Sequence, residues 1–197
     1  MPRPRPDDDL VKERMLLAAE TLLTRHGPDK VTVTDIAAQC GMSQSNAYRY
    51  FPSKDSLMAA LAVRWFAETE NKLNRIAVSG GPADARLAAF LETQFAIKLA
   101  THDQDPDLFQ SYLLLAQRNP DAVARHSAQL SDMITSLAVE MLSEKCVTSQ
   151  ETAELTRVFL DMTILIRDPW LIARFRDELD IDRARKIIEV AISCLNA

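Results

Sequence analysis

The chain has 197 residues, 47% of them hydrophobic and 26% charged, so it can bury an ordinary core and need not be disordered. Its net charge of -5 is globally the wrong sign for a nucleic-acid binder, and no run of about 18 apolar residues offers a membrane span. Three widely spaced cysteines, Cys40, Cys146 and Cys194, point to reduced thiols rather than a disulfide framework, with a redox role open for Cys40 or Cys146.

Only four glycines occur, and apolar residues recur at spacings of three and four; both predict an all-α fold of about nine helices. The N-terminal "MPRPRPDDD" is Pro-rich and charged, lacks the apolar centre of a signal peptide, and is expected to be a mobile arm of a cytoplasmic protein. A first helix is predicted from about Asp9 to His26, with Met15, Ala18, Ala19, Leu22 and Leu23 as its apolar stripe and Gly27 as a left-handed cap. "KVTVT" is the one stretch with strand character. A second, short helix starts at Thr32, where "TVTD" reads as a capping box with Asp35 reaching back. Gly41 supplies a tight turn, and Ser43 caps a third short helix that closes near Tyr50.

Helix, glycine turn, helix is the spacing of a helix-turn-helix. Ile36, Ala37, Met42, Ala47 and Phe51 are placed to hold the two helices together, while Gln44, Ser45, Asn46 and Arg49 share the outer face of the third. Gln and Asn can pair with adenine edges, Arg can read guanine or clamp phosphate, and the hydroxyls of Thr32, Thr34, Ser43, Tyr48 and Tyr50 suit phosphate oxygens. From Ser43 to Lys54 the only charged residues are Arg49 and Lys54, both positive, and Arg3, Arg5, Lys12 and Arg14 add to a small basic face on an acidic body.

A long fourth helix is predicted from Lys54 to about Val78, with Leu57, Leu61, Trp65 and Phe66 opening its stripe. "SGG" breaks the chain, and helices follow around Leu87 to Leu99, from Pro106, from Asn119 to about Ser143, from the Thr148–Glu151 capping box through Ile166, and from about Asp182 to Leu195. His102 and His126 have no partner at metal-ligand spacing, and there is no phosphate loop, nucleophile elbow or paired His–Glu motif. No metal, no cofactor and no enzymatic activity are therefore expected.

"ERMLLAAETLLTRHG" together with "VTVTDIAAQCGMSQSNAYRYFPSKDSLMAAL" resembles the N-terminal DNA-binding region of the TetR family of transcriptional regulators. The resemblance rests on Ala18-Ala19, Gly27, Thr32, Ile36-Ala37, Gly41-Met42-Ser43, Tyr48, Phe51, Lys54 and Leu57, and covers residues 10 to 62. It implies an arm and DNA-binding domain over 1–54 and a helical effector-binding and dimerisation domain over 55–197. It places Thr32, Tyr48, Tyr50 and Lys54 at phosphate-contact positions and Gln44, Ser45, Asn46 and Arg49 on the recognition helix; Tyr50 departs from the histidine of many members. The implied function is a repressor, homodimeric on a palindromic double-stranded operator and released by a small apolar or aromatic effector. A helical interaction module of the same fold without DNA binding is the alternative, with a small-molecule enzyme behind it.

The implied effector pocket lies among the fourth to eighth helices, with Trp65, Phe90, Phe95, Phe109, Tyr112, Gln117 and Met162 as candidate lining. The implied dimer is a four-helix bundle across a two-fold axis, with Leu155, Val158, Phe159, Met162, Ile187, Ile188, Ala191 and Leu195 as candidate interface.

Overall fold

The computed structural model describes residues 6–27, 30–143 and 147–196. Among them are eleven helices and no strand. Arg3, Arg5 and Cys146 lie outside the described residues. The chain divides into two compact units, one formed by residues 1–65 and 105–122 and the other by 66–104 and 123–197.

The first unit begins with α1 (Pro6–His26), which starts three residues earlier than its apolar pattern suggests. Its opening "PDDD" has no apolar residue to mark it, but proline and acids suit a first helical turn, where proline's missing N–H costs nothing and carboxylates meet the positive end of the dipole. Gly27 closes α1 at φ 74°, its N–H donating to Leu23 O at 2.8 Å. "KVTVT" forms no strand; it leads into α2 (Val33–Gln39) and buries Val31 and Val33. Thr32 caps α2 through a full capping box: its Oγ1 accepts from Asp35 N, while Asp35 accepts from Thr32 N at 2.9 Å. Gly41 sits at φ 63°, where a Cβ would be strained, and this lets Met42 N–H turn back to Ala37 O at 3.0 Å.

α3 (Gln44–Tyr50) is capped by Ser43 Oγ, which accepts from Asn46 N at 3.3 Å. α4 (Lys54–Ala77) begins behind Ser53, whose Oγ accepts from Ser56 N. Met15, Ala19, Ile36, Ala47, Leu57 and Leu61 are the centre of the unit's core, each essentially without solvent contact. Arg64 on α4 pairs with Glu13 and Glu20 of α1 at 3.3 and 3.4 Å. α6 (Pro106–Arg118) belongs to this unit as well; its Leu115 packs on the same core, and Tyr112 stacks on Trp65 with ring centres 5.7 Å apart.

The second unit is built from the later turns of α4, α5 (Ala83–Gln104), most of α7 (Pro120–Ser143), α8 (Ser149–Met162), α9 (Ile164–Arg167), α10 (Pro169–Arg174) and α11 (Ile181–Asn196). α11 packs against α5 and α8. A second capping box, Thr148 with Glu151, opens α8. The sequence pattern predicts one helix from Thr148 through Ile166, but α8 ends at Met162. Thr163 is fully buried, its hydroxyl donates back to Phe159 O at 2.9 Å, and the chain restarts as α9 and then, behind Asp168 and Pro169, as α10. Those two short helices account for the excess over the nine expected. Asn119 stands before α7, but its side-chain amide donates to Leu115 O of α6 at 2.9 Å.

Candidate nucleic-acid interface and effector region

α3 owes its orientation to two apolar residues. Ala47 has no solvent exposure and Phe51, its C-cap, is 5% exposed, so one side of the helix is held in the core. Gln44, Ser45, Asn46, Tyr48 and Arg49 are all exposed around the rest, and Ser43 and Thr34 are exposed at the starts of α3 and α2. Lys54 is partly buried at the start of α4. Thr32 is exposed, but its hydroxyl also donates to Asp35 Oδ2 at 2.6 Å, so the capping box holds that proton. These hydrogen bonds keep the Asp35 carboxyl below its ordinary range.

Arg49 and Tyr50 form a small cluster with a residue that the sequence pattern does not single out. Arg49 Nη2 donates to the Tyr50 hydroxyl at 2.6 Å, its guanidinium lies over the Tyr50 ring at 4.8 Å, and Asp8 of α1 takes both the Tyr50 hydroxyl at 3.3 Å and Arg49 Nη2 at 3.6 Å. Two expected DNA-contact side chains thus meet a carboxylate of the same chain, 42 positions earlier in sequence for Tyr50. Cys40 is half-buried; its thiol donates to Arg14 O at 3.6 Å, and burial pushes it up from its ordinary value, which disfavours the reactive thiolate.

Family comparisons match both parts of the chain. The family described as bacterial regulatory proteins, tetR family, matches residues 15–61, and the family described as tetracyclin repressor-like, C-terminal domain, matches residues 83–188. The latter match alone spans more than half of the sequence. The chain belongs to the TetR family of bacterial regulatory proteins.

Among curated relatives, this TetR-family chain is 38% identical over 56 residues to an uncharacterised HTH-type transcriptional regulator of Mycobacterium tuberculosis, covering 28% of each chain. It is 32% identical over 81 residues to the HTH-type transcriptional repressor LfrR of Mycolicibacterium smegmatis, covering 41% of this chain and 42% of that one. The chain therefore spans less than half the length of the curated relatives it matches. A TetR transcription regulator from Haloarcula marismortui shares the fold across the whole length, with a TM-score of 0.70 at 20% identity, covering 98% of both chains.

The expected effector residues of this TetR-family chain fall in different units. Trp65, Phe109, Tyr112 and Gln117 belong to the first; Phe90, Phe95 and Met162 belong to the second. Phe90, Phe95 and Phe109 are buried core residues, Trp65 and Tyr112 stack on each other, and Gln117 and Met162 are exposed. The described surface clefts of the second unit have other linings; one of about 610 Å³ lies beside Lys72, Thr93, Ile97 and Thr101.

Of the expected dimer residues, Phe159, Ile188, Ala191 and Leu195 are no more than 3% exposed in the single chain. They are core residues of the second unit, because the apolar stripe of α11 closes on α8 and on α5. Leu155 and Ile187 are partly buried against that core, while Val158 and Met162 remain exposed, as does Val190.

The second unit also holds polar groups that the apolar pattern of α5 conceals. Gln94 and Lys98, one turn apart, are 3% and 7% exposed. Near them, His126 Nδ1 on α7 meets Glu70 Oε1 on α4 at 2.6 Å, and the Phe66 ring stacks on the imidazole at 4.2 Å. Arg167 of α9 donates to Thr163 Oγ1 at 3.1 Å and Leu160 O at 2.7 Å. Burial pulls Lys98 down from 10.5 to about 7, with Arg167 adding to the fall and Asp168 opposing it. Burial also lowers His126, against the upward pull of Glu70. The sequence signal is a polar pair spaced by four within an otherwise apolar face. Among the described residues no group of three or more His, Cys, Asp or Glu is placed to hold a metal, and no helix is long and apolar enough to cross a membrane.

Proposed function

We propose that this TetR-family protein is a DNA-binding repressor, that two copies present two α3 helices to the half-sites of a pseudo-palindromic operator, and that a small, largely apolar effector releases it. The observation that carries this reading is the surface of α3: five exposed residues able to touch bases or phosphates, on a helix pinned by Ala47 and Phe51, with no acidic residue between Ser43 and Lys54. Gln44, Ser45, Asn46 and Arg49 read bases; Thr32, Thr34, Ser43, Tyr48, Tyr50 and Lys54 position the backbone. A repressor of chromosomal genes would act in the cytoplasm. Val158 and Met162, exposed on α8, support a dimer contact there.

Functionally the division falls after Lys54, with 1–54 holding DNA and 55–197 holding effector and partner. An effector that favours one tilt of α4 would alter the separation of the two recognition helices and so weaken binding to half-sites at fixed spacing. Effector and DNA must then weaken each other by the same factor.

The test is a gel shift on the DNA upstream of the protein's own coding sequence. Tyr48→Phe and Lys54→Ala should weaken binding on all sequences and flatten its salt dependence, whereas Gln44→Ala and Asn46→Ala should relax sequence preference. Binding unchanged by all four substitutions refutes the assignment of this surface.

A further inference from the structure

Lys98 and Gln94 are an unusual pair to find inside a helical core. Lys98 is 7% exposed, and burial pulls its amine towards the neutral form. Gln94 is 3% exposed, and its Oε1 is buried without a hydrogen-bond partner. Buried polar groups are ordinarily satisfied, and a buried amine that must keep its charge needs a counter-ion. The nearby acids are committed elsewhere: Glu70 to His126 at 2.6 Å, and Asp168 to Leu171 N at 2.9 Å as the cap of α10. Arg167 repels a charged Lys98 and Asp168 attracts it, while burial holds His126 towards its neutral form.

We propose that Lys98 and Gln94 are the polar anchor of the effector site and that the effector is an apolar organic acid. Its carboxylate meets Lys98 Nζ, which holds its proton once the anion is present. Gln94, by a half-turn of its amide, offers N–H to the same carboxylate. The apolar body suits the rest of the buried face of α5, where Phe90, Leu91 and Phe95 flank the pair. A carboxylate fits better than a phosphate, because one amine and one amide cannot satisfy three anionic oxygens. This inference rests on the effector-released repressor reading and names the chemistry of its ligand.

The test is a thermal-shift titration of the full chain near neutral pH with octanoate and phenylacetate, each against its uncharged counterpart, octanol and phenylethanol. The acids should raise Tm saturably and the alcohols should not. Lys98→Met should weaken acid binding by about tenfold or more, the value of one charge-assisted hydrogen bond, and Lys98→Arg should restore part of it. Equal response to acids and alcohols, an acid response that survives Lys98→Met in a folded protein, or no response to either acid overturns the proposal and leaves Lys98 a neutral, water-satisfied amine. The same preparation is run in the gel shift. DNA binding with silent acids sinks the acid anchor and spares the repressor reading; acid binding through Lys98 without DNA binding does the reverse.

Discussion

Replacing Lys98 by methionine should stabilise the protein, and the gain should depend on pH in a defined direction. The amine is buried, and its pKa falls from 10.5 to about 7. Below pH 7 both the folded and the unfolded chain hold the proton, and the folded state carries the full cost of a buried charge. As pH rises from 7 towards 10.5 the folded chain gives up the proton while the unfolded chain keeps it, so stability rises with pH. At about 1.36 kcal/mol per pH unit, the interval corresponds to a cost on the order of 5 kcal/mol at low pH. Methionine has a similar shape and no charge, so Lys98→Met should recover a few kcal/mol of this near pH 6 and almost none near pH 10. The assay is urea unfolding followed by circular dichroism across that range. Cys40, raised by burial, titrates in the opposite sense at high pH, but it is common to both proteins, so the difference between their profiles isolates Lys98. Parallel profiles for wild type and variant, or a variant less stable at pH 6, would refute the reasoning.

Substitutions at three further sites, each with a milder control, test the first unit. Thr32→Ala removes both halves of the α2 capping box and should cost about 1 kcal/mol in urea unfolding, with Thr32→Ser close to wild type. Gly41→Ala places a Cβ at φ 63°; nothing lies within 4 Å of that Cβ, so the loss, about 1–2 kcal/mol, should come from backbone strain alone, and Gly41→Asn should lose less. Ala47→Leu overfills a site with no solvent exposure and should cost about 1–3 kcal/mol and abolish DNA binding, whereas Gln44→Ala, on the exposed face, should leave the unfolding midpoint unchanged.

Much of the first unit was legible because its signals are local. A threonine followed three residues later by an acid marks a helix start at Thr32 and again at Thr148, and the glycine at 41 marks a turn that only left-handed backbone can make. What was less legible has physical reasons too. An apolar stripe states that a face is buried, not by what: Phe159, Ile188, Ala191 and Leu195 carry the same periodicity whether a second copy or their own chain covers them, and their own chain does. The break after Met162 falls at Thr163, a fully buried residue whose hydroxyl donates to Phe159 O, and no glycine or proline stands there to announce it. Lys98 escaped notice because a long polar side chain within an apolar run is ordinarily read as reaching solvent, and burial shows only once α5 is surrounded.

Asp8 changes what Arg49 can contribute to binding. A free surface arginine reaching a phosphate displaces condensed cations from the DNA, and each such contact steepens the fall of affinity with salt by about 0.9 in the logarithmic slope. Arg49 already carries a counter-ion of its own, covalently tethered through α1. If Arg49 meets a backbone phosphate rather than a base edge, Asp8 would be displaced but not released, and its negative charge would stay beside the duplex. Under the proposed DNA-binding reading, an Arg49–phosphate contact would then add less to the salt dependence than a free arginine would, and the α1 terminus would trim the indiscriminate part of the affinity and not the part carried by base contacts.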